Sequence, residues 1–394
     1  MMKTIFTFLA VIASFAVSAQ IVNIPDANFK QRLLLWHNEI DTNHDNEIQV
    51  SEAENFTGRI NIQGSPNYPG FIKDLTGIEA FINLTELYCP YNQLTTLDIS
   101  KNTKLKTLWC ESNQLTSLDV SKNILLQWLD FSSNELSTID ISKNPFLTTL
   151  LYNYNQINNL DHSKYPQLIA IGCFGNNLTS LDISKNLNLK SLRCGDNQLT
   201  SLDISKNILL EYLDFKNNQI SNINTFEHSF LKVLLCESNL LKNIDVSKNA
   251  ELIALACNNN QLISLNLKNG QNEKIEFFIS IWNADLTCIQ VDDVSYFNTH
   301  WSQKDSWATY STDCSLGVND ITKSAIQIYP NPVKDKFIID TNNKIENIEI
   351  YSQTGQLLKT VKSKEVNISN FPKGNYLVKI KTDKDNINQK IIKE

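Results

Sequence analysis

Eight cysteines stand in this chain of 394 residues, and six keep one setting. Cys89, Cys110, Cys173, Cys194, Cys236 and Cys257 each lie two places after a leucine, or in one case Ile171, and three before an asparagine. Thiols so placed have four uses: nucleophilic attack, zinc ligation, crosslinking, or packing as a small apolar group. A second constellation lies nearer the start, in D-T-N-H-D-N-E-I-Q-V-S-E over residues 41–52. Asp41, Asn43, Asp45, the carbonyl of Glu47 and Glu52 follow the spacing at which a tight loop aims hard oxygen ligands at calcium. Asn46 stands where glycine usually takes the left-handed turn, and asparagine tolerates that conformation next best. With one such loop, calcium would have a structural role; the other reading is an acidic, capped loop without metal. Catalysis finds little support. His37, His44, His162, His228 and His300 sit in unrelated contexts, and G-x-S-x-G, H-E-x-x-H and the phosphate-binding glycine loops are absent. The expectation is a protein that is not an enzyme.

What positions the cysteines is a repeat. In steps of 21, leucine recurs at 84, 105, 126, 147, 168, 189, 210, 231 and 252, and asparagine at 92, 113, 134, 155, 176, 197, 218, 239 and 260. Such a period means a solenoid whose coils bury their apolar edges only by stacking. In L-x-x-L-x-C, residues two apart share a strand face, so Leu87 and Cys89 point inward while Glu86, Tyr88 and Pro90 point out. The asparagine amide is expected to bond turn backbone of its own and neighbouring coils as a ladder. The cysteine column reads Cys, Cys, Phe131, Tyr152, Cys, Cys, Phe215, Cys, Cys. A slot that exchanges thiol for phenyl is a core slot, so packing is expected, although adjacent pairs leave disulfides open. His162 replaces the aliphatic Ile99, Val120 and Ile141 and reads as a hydrogen-bonded histidine at the core edge; the stretch 224–227 loses the Asp-x-Ser-Lys signature. The Ser-Lys-Asn triplets read as solvated turns.

The L-x-x-L-x-C-x-x-N-x-L pattern resembles the cysteine-containing 21-residue leucine-rich repeats of internalin J and related exported bacterial proteins, over roughly residues 56–290. That resemblance implies an adhesin or interaction surface. The loop at 41–52 resembles EF-hand and dockerin-like loops over those twelve residues only.

The two ends differ in kind. Lys3, an apolar run from Ile5 to Val17 and small residues before Gln20 read as a signal peptide cleaved after Ala19, too short for a permanent membrane span. Export makes disulfides permissible. Asp26 caps a helix whose Phe29, Leu33, Leu34 and Trp36 mark a buried side. After the period breaks, Cys288 and Cys314 lie off the column and are expected to close one disulfide in a lid, with Tyr296, Trp301 and Trp307 covering the end of the core. His300, beside Trp301 and Asp305, reads as part of that lid. From about Ser324 the composition turns to short alternating strands, six or seven of them, with Thr354-Gly355 and Lys373-Gly374 as hairpin turns, which argues a small β-sandwich. Tyr329-Pro-Asn-Pro332, Ile350-Tyr351…Gly355-Gln356, Gly374-x-Tyr376-Leu-Val378 and Lys390-Ile-Ile-Lys393 resemble the type A sorting domain of type IX secretion, a family of Bacteroidota. It implies passage across the outer membrane by the type IX secretion machinery, usual removal of the domain, and surface attachment or release.

The expected architecture is mainly β (α+β): a signal peptide (1–19), a helical N-terminal cap with a calcium-type loop (20–56), a leucine-rich repeat solenoid of about ten coils (57–290), a disulfide C-terminal cap (291–316), a linker (317–323) and the sorting domain (324–394). A net charge of −7 argues against nucleic acid as a partner. No later segment approaches a transmembrane span. Consensus columns build the rod, whereas the outward strand columns vary and carry rings and charges: Tyr88, Trp109, Trp128, Asp130, Leu151, Phe174, Arg193, Tyr212 and Asp214. Exposed rings among charges suit an extracellular protein or glycan ligand. Tyr88, Trp109 and Trp128 are expected to form one patch and to be the strongest anchors. A spacer or surface-layer element without a strong ligand is the other reading.

Overall fold

The computed structural model describes residues 20–314 except 66, 68 and 69, and residues 327–394 except 342, 353–355 and 384–385. The expected signal peptide, the linker and the Thr354-Gly355 turn lie outside the described residues. The chain divides into two compact units between Cys314 and Ser315.

The first unit is a parallel solenoid. Its main sheet has eleven strands in chain order, from Gly58–Asn61 and Leu84–Tyr88 to Ala254–Ala256 and Phe277–Ile279. Leu108 pairs Leu129 and Leu129 pairs Leu150, so the coils stack in register at the 21-residue period. The outermost pairs, Ile60 with Leu87 and Leu255 with Phe278, break that period, which is why stepping by 21 finds only nine coils. Residues Leu87, Leu108, Leu129 and every member of the cysteine column are fully buried in one continuous core. Opposite the main sheet most coils turn without a strand; the last coils instead form a four-stranded parallel sheet of Asn243–Asp245, Ser264–Asn266, Cys288–Gln290 and Thr309–Ser311.

Both ends of the core are closed by helices. Helix α1 (Ala27–Trp36) starts on Asp26, whose Oδ1 accepts from the N–H of Asn28 and Phe29 at 2.8 and 3.1 Å. Phe29 and Leu33 are buried, but Trp36 is exposed, its ring 3.8 Å beneath the Arg32 guanidinium. Trp36 is the last residue of the helix, and there its ring lies out under Arg32 while the following His37 takes the buried place. Helix α2 (Val50–Asn55) follows the acidic loop, and helix α3 (Val294–His300) caps the far end.

The second unit is a seven-stranded antiparallel pair of sheets, Gln327–Tyr329, Lys336–Asp340 and Glu365–Asn367 in one and Ile345–Tyr351, Leu357–Val361, Gly374–Thr382 and Asn386–Lys393 in the other. Phe337, Ile339 and Val366 meet Ile348, Ile350, Val378 and Ile391 in one core. Lys373-Gly374 is not a hairpin turn: Glu365–Asn367 and Gly374–Thr382 belong to different sheets, so the connection crosses between layers. Asn331 ties the two quoted end motifs together, its Nδ2 donating to the Lys390 carbonyl at 3.0 Å and its Oδ1 accepting from Ile392 N–H at 2.9 Å.

Candidate functional site

The cysteine column is part of the packed core. All six thiols are free and buried, and desolvation pushes Cys89 and Cys173 up to about 12 and the others upward too. A thiol held neutral in an apolar core is a poor nucleophile and a poor metal ligand. Cys288 and Cys314 are bonded, with Cα atoms 5.8 Å apart, which anchors the strand Cys288–Gln290 to the segment after Thr309–Ser311. The asparagine ladder is present: Asn113 Nδ2 donates to the carbonyls of Cys89 and Cys110 at 3.0 Å, and its Oδ1 accepts from Leu94 N–H at 3.0 Å. A second ladder was not legible in the sequence. The asparagine of each Ser-Lys-Asn triplet is buried, not solvated; Asn123 Nδ2 donates to the carbonyls of Ile99 and Asn102 at 3.0 Å. Asn recurs at 102, 123 and 144, but the Ser and Lys before it recur with it, so nothing in the triplet set it apart. His162 is buried and meets the Tyr152 hydroxyl through Nε2 at 3.0 Å; burial lowers it to about 4, so it is neutral.

The acidic loop has the turn that its spacing requires, with Asn46 left-handed at φ 62°. Its oxygens serve the loop itself. Asp41 accepts from the N–H of Asp45 and Asn46, and Asp45 Oδ1 from Glu47 N–H. Glu52 Oε1 accepts from Thr42 N–H and Oγ1 at 2.8 and 2.7 Å, and Oε2 from Gln49 N–H at 2.9 Å, which makes Glu52 a clasp for the loop and the cap of α2. Among the described residues no three His, Cys, Asp or Glu side chains converge as a metal cage. Glu52, the twelfth residue of the loop, would have to turn from Thr42 and Gln49 to join Asp41, Asn43 and Asp45 about a calcium ion.

At the far end Phe297 and Tyr310, missed in the sequence, seal the core with ring centroids 5.0 Å apart, joined by half-buried Tyr296 and Trp301. Trp307 is 53% exposed and does not cover the core. It lies in the turn before Thr309–Ser311. His300 stacks on Tyr296 at 4.1 Å, as part of the cap.

The outward strand face holds the remaining candidates. Tyr88 and Trp109 are in register on adjacent coils, with ring centroids 5.7 Å apart, edge to face. Arg59 lies 4.6 Å over Tyr88 and bonds Glu86, while Trp109 Nε1 donates to Glu111 at 3.0 Å. Trp128 pairs in register with Thr107 and Thr149, two residues off that line, and is 43% exposed. No ring contact among the described residues joins it to Trp109. Asp130 and Asp214 are buried carboxylates; desolvation raises Asp130 to about 6 and Asp214 in the same direction.

Farther along, the face forms a groove of about 300 Å³ running from Glu111 and Ser132 to Asp214 and Lys216, and it contains Phe174, Arg193 and Tyr212 of the expected set. Leu151 lines no part of it but packs beside Gly172. Its rings lean onto bare backbone. A Cβ on Gly175 would fall 2.6 Å from the Tyr154 ring, and one on Gly195 would fall 2.5 Å from the Phe174 ring. Asn153 fixes the floor, bonding Ser132 Oγ through Nδ2 at 3.1 Å and accepting from Phe174 N–H at 3.0 Å. Arg193 lies 4.7 Å over Tyr212 and Lys216 lies 5.2 Å from Phe174. Sequence reasoning missed Tyr154, which is 56% exposed on a left-handed turn at φ 51°. The signal was there: between Gly77 and Gly270 the chain has only Gly172, Gly175 and Gly195.

Comparison with known proteins gives the modules. Residues 327–394 match the secretion system C-terminal sorting domain, and residues 82–123 match leucine-rich repeats in two copies. No curated protein matches the chain. Among solved structures, the functional domain of InlJ from Listeria monocytogenes, described as including a cysteine ladder, aligns at 21% identity over 95% of this chain and 99% of that one, TM-score 0.45. An internalin, inlF, from Listeria monocytogenes aligns at 20% identity over 75% and 98%, TM-score 0.47. A TDR receptor aligns at 18% identity over 62% and 52%, TM-score 0.50, and shares the solenoid fold. The chain is a leucine-rich repeat protein with a type IX sorting domain, which makes it a secreted or cell-surface protein. Among the described residues no helix is long and apolar enough to cross a membrane.

Proposed function

We propose that the protein is an extracellular binding protein: the sorting domain engages the type IX machinery of a bacterium of the Bacteroidota, and the outward strand face of the solenoid then holds a protein or glycan partner. One observation carries this reading. The buried strand columns stay apolar from coil to coil, whereas the outward strand face concentrates rings and paired charges around a groove whose floor is kept clear by glycine. A plain spacer has no use for rings laid over Gly175 and Gly195. Rigid aromatics lose little entropy on contact and dominate binding energy where they are central. The Tyr88–Trp109 pair is proposed as an anchor, with Trp128 as a separate contact one column away.

The test is a binding screen of the purified chain against extracellular proteins and glycans, repeated with Trp109→Ala/Trp128→Ala and Phe174→Ala/Arg193→Ala. All four side chains lie off the inward columns, so both variants should melt as the parent does. Loss in either variant places the partner on this face. A partner bound undiminished by both moves the site elsewhere, and a screen without any partner favours the spacer.

A further inference from the structure

We infer that the groove at Asn153–Lys216 takes a neutral glycan chain, a reading that rests on the strand face being the binding surface. Charge decides the class. Asp214 and Glu111 share the groove with Arg193 and Lys216, so acids and bases alternate along it. An anionic ligand meets the two carboxylates and a cationic one meets the guanidinium and ammonium; a ligand with neither charge meets only hydrogen-bonding groups. Such a ligand must both donate and accept, because the groove offers carboxylate acceptors and cationic donors side by side. Hydroxyl groups do both.

The apolar parts fit the same class. Tyr154 and Phe174 have ring centroids 5.3 Å apart and form one continuous wall, with the Tyr154 ring more than half exposed. The C–H face of a pyranose is the apolar surface that packs on such a ring, leaving its equatorial hydroxyls to the planar Asn153, Arg193 and Asp214 groups. The groove is open and follows the solenoid axis across the coils from Glu111 to Lys216, so an extended oligomer fits it better than a single sugar. The burial of Asp214 adds to this: its carboxylate is already stripped of much of its water by the fold, and hydroxyl donors restore hydrogen bonds there without the repulsion from Arg193 that a cation would meet.

The experiment is calorimetric titration of the full chain with cello-, xylo-, manno- and chito-oligosaccharides, an oligogalacturonate and an oligoarginine peptide, at low and high salt. At least one neutral oligosaccharide should bind with an affinity that salt does not change, since screening acts on net charge. Tyr154→Ala and Phe174→Ala should each weaken it about tenfold or more. Gly195→Ala, which forces the Phe174 ring aside, should weaken it as well, while Tyr88→Ala should not. Melting temperatures of the Tyr154 and Phe174 variants should match the parent. Binding of oligoarginine or oligogalacturonate in place of the neutral chains, or neutral binding indifferent to Phe174→Ala, overturns the inference. So does the absence of any neutral binder. A protein partner lost in Phe174→Ala with no glycan bound overturns this inference alone and leaves the extracellular binding role standing.

Discussion

The asparagine ladder predicts its own worth at Asn134. Its Nδ2 donates to the carbonyls of Cys110, Phe131 and Ser132 at 3.1, 3.0 and 3.1 Å, and its Oδ1 accepts from Leu115 N–H at 2.9 Å. The three carbonyls keep other donors: Asn113 bonds Cys110, Asn155 bonds Phe131, and Ser112 N–H bonds Ser132. Leu115 N–H keeps no other acceptor. Asn134→Ala therefore strands one buried donor, which costs about 1–3 kcal/mol, and loses bonds of about 1 kcal/mol each, so a loss near 3 kcal/mol is expected. Asn134→Asp separates the two halves of the amide. It keeps the acceptor for Leu115 but aims a carboxylate at three carbonyl oxygens, so at pH 7 it should be worse than alanine. Repulsion and burial raise that carboxyl's folded pKa above its unfolded value. Stability is then present below the unfolded pKa and lost as pH rises through the folded one, and the Asp deficit relative to the parent should shrink at pH 4. Urea unfolding followed by tryptophan fluorescence is the assay; all six tryptophans lie before residue 308, so the sorting domain is silent. An alanine loss under about 1 kcal/mol, or an Asp variant as stable as the Ala variant at pH 7, refutes the ladder as a stabilising element.

His162 and Asp130 should oppose each other in acid. With His162 lowered to about 4, the unfolded chain binds its proton first below pH 6.5, and stability falls towards pH 4 by about 3 kcal/mol. With Asp130 raised to about 6, stability present below pH 3.8 is lost as pH rises through 6, by a similar amount of about 3 kcal/mol. Urea midpoints between pH 4 and 7 should show a steeper acid loss in Asp130→Asn and a reversed slope in His162→Leu. Reduction should cost about 3 kcal/mol through Cys288–Cys314, while the six ladder thiols should stay unalkylated until the chain unfolds, as mass spectrometry of peptides would show. If calcium enters the 41–52 loop, it raises the melting temperature by mass action and Asp41→Ala abolishes the rise; identical melts in calcium and chelator end that reading. Deleting residues 324–394 should leave the solenoid folded, since the two units have separate cores, and stop surface delivery, as cell fractionation would detect.

Periodicity alone determined the solenoid, because a coil that cannot bury its own edge must repeat the same apolar positions to stack. The cysteine slot, the asparagine ladder, the outward columns and the off-period cysteine pair were legible for that reason. What the period could not reach was whatever depends on neighbours in space. The first and last coils break the spacing, so the eleventh strand showed only in the fold. Asn123 and its equivalents read as solvated turns because polarity in sequence says nothing of a carbonyl waiting one coil away. Trp36 and Trp307 carry the composition of core residues, and only the paths of α1 and the final turn set them in solvent. The calcium-type spacing fixes how the loop bends but not where Glu52 points, and its place in the first turn of α2 sets it on Thr42 and Gln49. The groove is the clearest case. Tyr154 and Gly175 hold one position of successive repeats, and Phe174 and Gly195 another, but only the stacking of coils shows that each ring lies over the glycine of the next.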